Sequence, residues 1–224
     1  MRGRSVPLLM RSRARASRPG ASSIAVSRSP GAAGLAPIAT WVRVSTTSGA
    51  WRHDMGSICV GVVILGHSAG GHLAHWAAAR QRLEPGSALH AADPVRPRGV
   101  VNLAGRMDMT VGIAEYEASC NMPILRRLMG GLPDQVPERY AQVSLPGLLP
   151  LGVRQVMIWG SRETYVPEQQ AQDFQAAAQR AGDDVRLMIV PGAGHFETAS
   201  PTSPAWPVVL GAVKSLLGAH GEVP

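Results

Sequence analysis

The stretch that most constrains this chain runs from Val60 to Ala79, VGVVILGHSAGGHLAHWAAA. Val60, Val62, Val63, Ile64 and Leu65 form a short apolar run rich in β-branched residues, which is how a strand buried on both faces reads. Gly66-His67-Ser68-Ala69-Gly70 follows at once, and then a helical run in which Leu73, Ala74, Ala77 and Ala78 share a face. A strand, a tight turn with a serine at its tip and a helix make a nucleophile elbow. The turn holds Ser68 in a strained conformation, so the residues two before and two after it are expected to be small. Ser68 Oγ then stands at the carboxyl end of the strand. The backbone N–H of Ala69, at the helix N-terminus, points where an oxyanion would form.

A chain of 224 residues suffices for one sizeable core. With 45% hydrophobic and 17% charged residues its composition is that of a globular protein, and Ile58–Leu65, its longest apolar run, is too short to span a bilayer. Cys59 and Cys120 offer neither a disulfide framework nor a metal spacing. Cys59 reads as a small apolar residue within the first strand. A cytoplasmic location is the expectation, with an N-terminal targeting segment left open.

The formal charge of +7 is a property of one segment. Residues 1–53 hold nine arginines and no acid, whereas residues 54–224 hold the other 13 basic residues against all 15 acidic ones, a net of −2. Residues 1–55 form an Arg- and Ser-rich segment for which three readings compete. It is a targeting segment, a basic arm, or a replacement of the genuine beginning of the chain; the last is favoured, and the composition is that of disorder under each. With no aromatic interleaving among the arginines, no specific nucleic-acid partner is expected. Ile38–Ser45 reads as a short strand.

Residues 56–224 form the expected catalytic domain. The elbow helix ends near Arg82, and a polar connection, Glu84–Arg98, leads to a second buried strand, Gly99–Ala104. Residues 109–150 are broken by prolines into short pieces, with helices expected near Met122–Met129 and Pro137–Val143, and read as a lid-like insertion. Gln155–Trp159 is a third strand, Glu168–Ala181 an amphipathic helix stopped by Gly182, Val185–Val190 a fourth strand, and Pro207–Leu217 a final helix. Strands alternating with helices argue for an α/β fold, a mostly parallel sheet with helices on both faces. Sites in such sheets form beyond the carboxyl ends of the strands. Ser68, Asp108, Glu163 and His195 all follow strands at that end.

Taken together, GHSAGGHLA, WGSRETYVP and PGAGHF, in this order, resemble the α/β-hydrolase superfamily, in its small esterase and kynurenine-formamidase-like branch. The resemblance covers roughly three quarters of the chain, from about Val60 to the end. It implies a serine hydrolase acting on a small-molecule ester or amide, with no cofactor and no metal. Ser68 is the implied nucleophile, His195 the base and Glu163 the acid, where the family more often has Asp. Asp108 is the reserve acid. Ala69 supplies one oxyanion-hole N–H. A carboxylic ester is the expected substrate, with an aryl formamide as the alternative.

The family also has earlier strands and an H-G-G-type loop that gives the second oxyanion donor. Nothing of that kind occurs in residues 1–66. A catalytically impaired, truncated homologue is therefore a further alternative, since losing one such donor costs about 2.7–4 kcal/mol. The same departure predicts that Val60–Leu65 is an exposed apolar edge. His72 and His75, one helical turn apart, have no carboxylate or cysteine beside them in a ligand pattern and read as packing or pocket-lining residues. His67 reads as a packing residue of the elbow. Gly192-Ala193-Gly194 is no phosphate loop, because no helix follows it and no lysine accompanies it.

Overall fold

The structure is a computed structural model in which residues 62–218 are described. The expected strand at Ile38–Ser45, Cys59 and the Arg-rich segment lie outside these residues. The elements, in chain order, are β1 (Val63–His67), α1 (Ala69–Ala79), β2 (Gly99–Leu103), α2 (Ile113–Ser119), α3 (Ile124–Met129), α4 (Pro137–Ala141), β3 (Arg154–Gly160), α5 (Glu168–Arg180), β4 (Val185–Val190) and α6 (Trp206–Leu217). Short 3₁₀ turns follow α1 at Arg80–Arg82 and precede β3 at Leu145–Leu148, and another lies at Glu197–Ala199.

The four strands pair in parallel in the order β1-β2-β3-β4. Their alternating side chains build a core on each face. On one face Met157 and Trp159 of β3 pack with Trp76 and Ala79 of α1 and with Ala171, Phe174 and Ala178 of α5. On the other, Val101 and Leu103 of β2 and Val156 and Ile158 of β3 pack on Val209, Ala212 and Leu216 of α6. This is the period of two expected of a strand, read on a sheet covered on both sides. The expected α/β class is what the chain has.

Strand positions follow the sequence reading closely in β2, β3 and β4. In β1 the pairing runs further than expected, through Gly66 and His67, whose partners are Asn102 and Leu103. The strand continues because β2 presents a parallel neighbour for those two residues as well. Among the described residues β1 is an edge, with Val62 39% and Leu65 40% exposed.

Residues 109–150 contribute to the core. Leu125, Met129, Tyr140, Val143, Leu145 and Leu148 are buried in the same core as Trp76 and Trp159. The Trp76 indole donates to the Gln142 carbonyl at 2.8 Å, tying α1 to the insertion. The helix α2 was not expected: it is only seven residues long, and Ile113 and Tyr116, its apolar residues at i and i+3, pack against the core while only partly buried. Helix α4 stops at Ala141, two residues short of expectation. Among the described residues, no helix is long and apolar enough to cross a membrane.

Candidate active site

Ser68 stands between β1 and α1 with φ 55° and ψ −123°, a region that non-glycine residues rarely occupy. Its conformation is held from three sides. Its N–H donates to Leu103 O of β2 at 2.8 Å, and its carbonyl accepts the N–H groups of Gly71 at 2.9 Å and His72 at 3.2 Å. The strain is therefore fixed by the end of β2 and the first turn of α1.

The glycines around the turn do not play equal parts. A Cβ on Gly66 would run into the backbone carbonyl of Gly70, so the bare backbone is needed at position 66. A Cβ on Gly70 itself would meet nothing within 4 Å, which corrects the symmetrical expectation from the motif. The second tight position lies outside the motif. A Cβ on Gly105 would fall 2.5 Å from His72 N and 2.6 Å from Ser68 O. The turn after β2, which includes Ala104 at φ 49°, thus braces the elbow. Asn102, fully buried in β2, shapes it by accepting the Gly105 N–H at 2.7 Å and donating to the Gly105 carbonyl at 3.3 Å. The sequence reading passed over both residues.

Glu163 and His195 meet across the ends of β3 and β4. Glu163 Oε2 lies 2.7 Å from His195 Nδ1, with both side chains almost wholly buried. The other oxygen, Oε1, accepts the N–H groups of Tyr165 at 2.6 Å and Val166 at 3.1 Å. Burial alone raises the carboxyl's pKa, but the hydrogen bonds from His195, Tyr165 and Val166 outweigh it and hold Glu163 below the ordinary value. The two loops are clamped to each other. Arg162 N–H donates to Ala193 O at 2.9 Å, Gly192 N–H donates to Ser161 Oγ at 2.8 Å, and a Cβ on Gly160 would strike the Ala193 carbonyl.

His195 is held from behind as well. Its carbonyl accepts hydrogen bonds from His67 Nε2 at 2.8 Å and Thr198 Oγ1 at 2.9 Å. Because a carbonyl only accepts, this fixes His67 as the tautomer protonated on Nε2. The His195 ring contacts those of His67 and Tyr165, with centroids 4.6 and 4.7 Å away. His67 is therefore more than packing for the elbow: it joins the serine turn to the histidine loop. Burial pushes the His67 pKa down, which keeps it a neutral donor.

Asp108, the reserve acid, is engaged elsewhere. Its Oδ1 accepts from Thr110 N and Oγ1 at 2.8 and 2.6 Å and from Ser144 Oγ at 2.9 Å, which makes it the cap of a turn that anchors the insertion. Among the described residues, Glu163 is the carboxylate that reaches His195. His72 donates from Nδ1 to Arg106 O at 2.9 Å, and its pKa is pushed down by burial to about 4. His75, packed edge-on to Phe174, is likewise pushed down by burial to about 3. Both are neutral packing groups.

A cavity of about 210 Å³ opens beside the serine turn. Ala69, His72 and Leu73 of α1 form its near wall, and Tyr116, Leu125 and Leu128 of the insertion its far wall. Arg106 also lines it and is only 4% exposed. The sequence signal for Arg106 was weak: one basic residue after a strand reads as solvated.

No protein-family model matches the chain, and neither does any curated protein. Solved structures do resemble it. A bifunctional GH43-CE protein of Bacteroides eggerthii superposes with a TM-score of 0.60 and 22% identity, over 82% of this chain and 27% of that one. An acetyl ester-xyloside bifunctional hydrolase from Caldicellulosiruptor lactoaceticus gives a TM-score of 0.61 and 21% identity, over 83% of this chain and 67% of the other. The acylaminoacyl peptidase of Pyrococcus horikoshii gives 0.62 and 14%, over 82% and 28%. The chain thus spans about a quarter of the first and third of these proteins and two thirds of the second. Such neighbours are α/β-hydrolase-fold enzymes, and at these identities the likeness is one of fold. The described part of this chain has the α/β fold of those hydrolases.

Proposed function

We propose that this chain is a serine hydrolase that cleaves a carboxylic ester through an acyl-enzyme, with Ser68 as nucleophile, His195 as base and Glu163 as acid. The observation that carries the reading is the buried Glu163–His195 pair, which follows β3 and β4 at the carboxyl end of the same parallel sheet at which Ser68, after β1, is held at positive φ.

The pair gives each group its role. Glu163 accepts from Nδ1, so neutral His195 carries its proton there and leaves Nε2 with a free lone pair. Nε2 takes the Ser68 hydroxyl proton as Oγ attacks the ester carbonyl, and returns it to the leaving alcohol as the carbon–oxygen bond breaks. Water, deprotonated by the same nitrogen, then attacks the acyl group and frees the acid and Ser68. Glu163 stays ionised and stabilises the imidazolium formed in both steps. The Ala69 N–H, at the start of α1, faces the developing oxyanion. The segment before β1, from which a second donor would come, lies outside the described residues.

The proposal is tested with p-nitrophenyl butyrate, with a formanilide as the amide comparator. A burst of p-nitrophenol followed by slower turnover, absent in Ser68→Ala and His195→Ala, is expected. Faster release of aniline than of nitrophenol would move the substrate class to formamides. No turnover of either by folded protein would overturn the reading.

A further inference from the structure

We propose that the cavity beside Ser68 is a carboxylate-binding subsite, in which the Arg106 guanidinium receives the acid group of a substrate whose middle portion is apolar. The inference rests on the ester-hydrolase reading above and names the substrate class for it.

Arg106 Nε, Nη1 and Nη2 are buried with no hydrogen-bond partner, although the residue is only 4% exposed. A buried guanidinium without partners has given up its hydration with nothing in return. The nearest acidic groups do not relieve it. Asp108 is committed to Thr110 and Ser144. Glu117 bonds Arg126, and Glu115 lies exposed on α2. The Tyr116 ring stacks on the guanidinium at 4.8 Å, which favours the cation but satisfies none of its N–H groups. Burial accordingly pulls the Arg106 pKa down.

The position is held from the backbone, since the Arg106 carbonyl accepts from His72 one turn into α1. Thus the helix that begins at the proposed oxyanion donor also anchors this arginine. Between them the cavity walls are Leu73, Trp76, Leu125 and Val143, which suit carbon chains or rings. A planar guanidinium with every nitrogen vacant matches a carboxylate through two parallel hydrogen bonds, a fit that an ammonium lacks.

The test uses the full-length Ser68→Ala protein, in which nothing is turned over, and calorimetry with 4-phenylbutyrate and its neutral amide. The acid is expected to bind at least about tenfold more tightly than the amide, as for a charge-assisted pair. Arg106→Met should abolish that difference, and Arg106→Lys should leave a smaller one. Should Arg106→Met fail to fold, the acid-to-amide ratio in Ser68→Ala and its decrease in Arg106→Lys decide. Equal binding of acid and amide, no binding of either, or a preference that survives in Arg106→Met would overturn the proposal. Turnover of p-nitrophenyl butyrate separates the two readings. Turnover without a carboxylate preference sinks only the subsite, and a carboxylate preference without turnover sinks only the hydrolase.

Discussion

Glu163 Oε2 lies 2.7 Å from His195 Nδ1 while Glu163 Oε1 accepts two backbone N–H groups, so one carboxylate both orients the imidazole and is itself fixed. The additional methylene of Glu relative to Asp does not prevent this contact. It sets where the turn after β3 must lie.

Replacing Glu163 by Gln keeps the size and removes the charge. The amide can turn its NH₂ toward Nδ1, which favours the wrong imidazole tautomer. Ester kcat is expected to fall by about 10³–10⁴ with KM nearly unchanged, read from steady-state kinetics on p-nitrophenyl butyrate. A loss below tenfold would remove Glu163 from the mechanism.

The two motif glycines should respond in opposite ways. Gly66→Ala drives a methyl into the Gly70 carbonyl and is expected to destabilise by about 1–3 kcal/mol or more. Gly70→Ala meets open space within α1 and is expected to stabilise by about 0.5–1 kcal/mol. Gly105→Ala should behave like Gly66→Ala, because besides the Asn102 side chain it meets the backbone at Ser68 O and His72 N. Denaturant midpoints at constant slope check all three.

His67→Phe retains a ring against His195 but loses the hydrogen bond to its carbonyl. The expected consequence is a roughly tenfold lower kcat with stability reduced by about 1 kcal/mol. If kcat is unchanged, the link between the serine turn and the histidine loop has no catalytic part.

Stability should fall with acid in a particular window. His72 and His75 have folded pKa values pushed below the ordinary 6.5, to about 4 and about 3. Below pH 6.5 the unfolded chain therefore binds protons that the folded one refuses. Their stabilisation is complete above pH 6.5 and is lost as pH drops toward 4 and then 3, at up to about 1.4 kcal/mol per pH unit for each. Glu163, also lowered, adds its loss at the acid end, below the ordinary carboxylate range. Urea titrations from pH 7 to pH 4 of wild type and His75→Phe compare the slopes. The variant should show a clearly shallower dependence between pH 6.5 and pH 4, the remainder coming from His72 and from His67, whose pKa burial also lowers.

Much of the sheet was legible because parallel strands buried on both faces are near-continuous apolar runs. Val185–Val190 has the same bounds in sequence and structure. The order of Ser68, Glu163 and His195 was legible because each follows such a run. What escaped depends on contacts across the sheet. Gly105 matters only because β2 lies beside the elbow, and Asn102 only because its side chain turns toward Gly105. Nothing in the sequence marked Arg106, whose burial depends on the insertion packed over it, and Asp108, the reserve acid, is taken up by Ser144 and Thr110, contacts that no spacing reveals. The importance assigned to Gly70 came from the motif's symmetry, which the backbone does not share.

The most direct test of the central claim is labelling of the purified chain with a fluorophosphonate, followed by intact mass and by mapping of the modified peptide. The account predicts one adduct per chain, on Ser68, lost in Ser68→Ala and strongly slowed in His195→Ala. A folded protein that takes up no label, or takes it up equally well without His195, would contradict it.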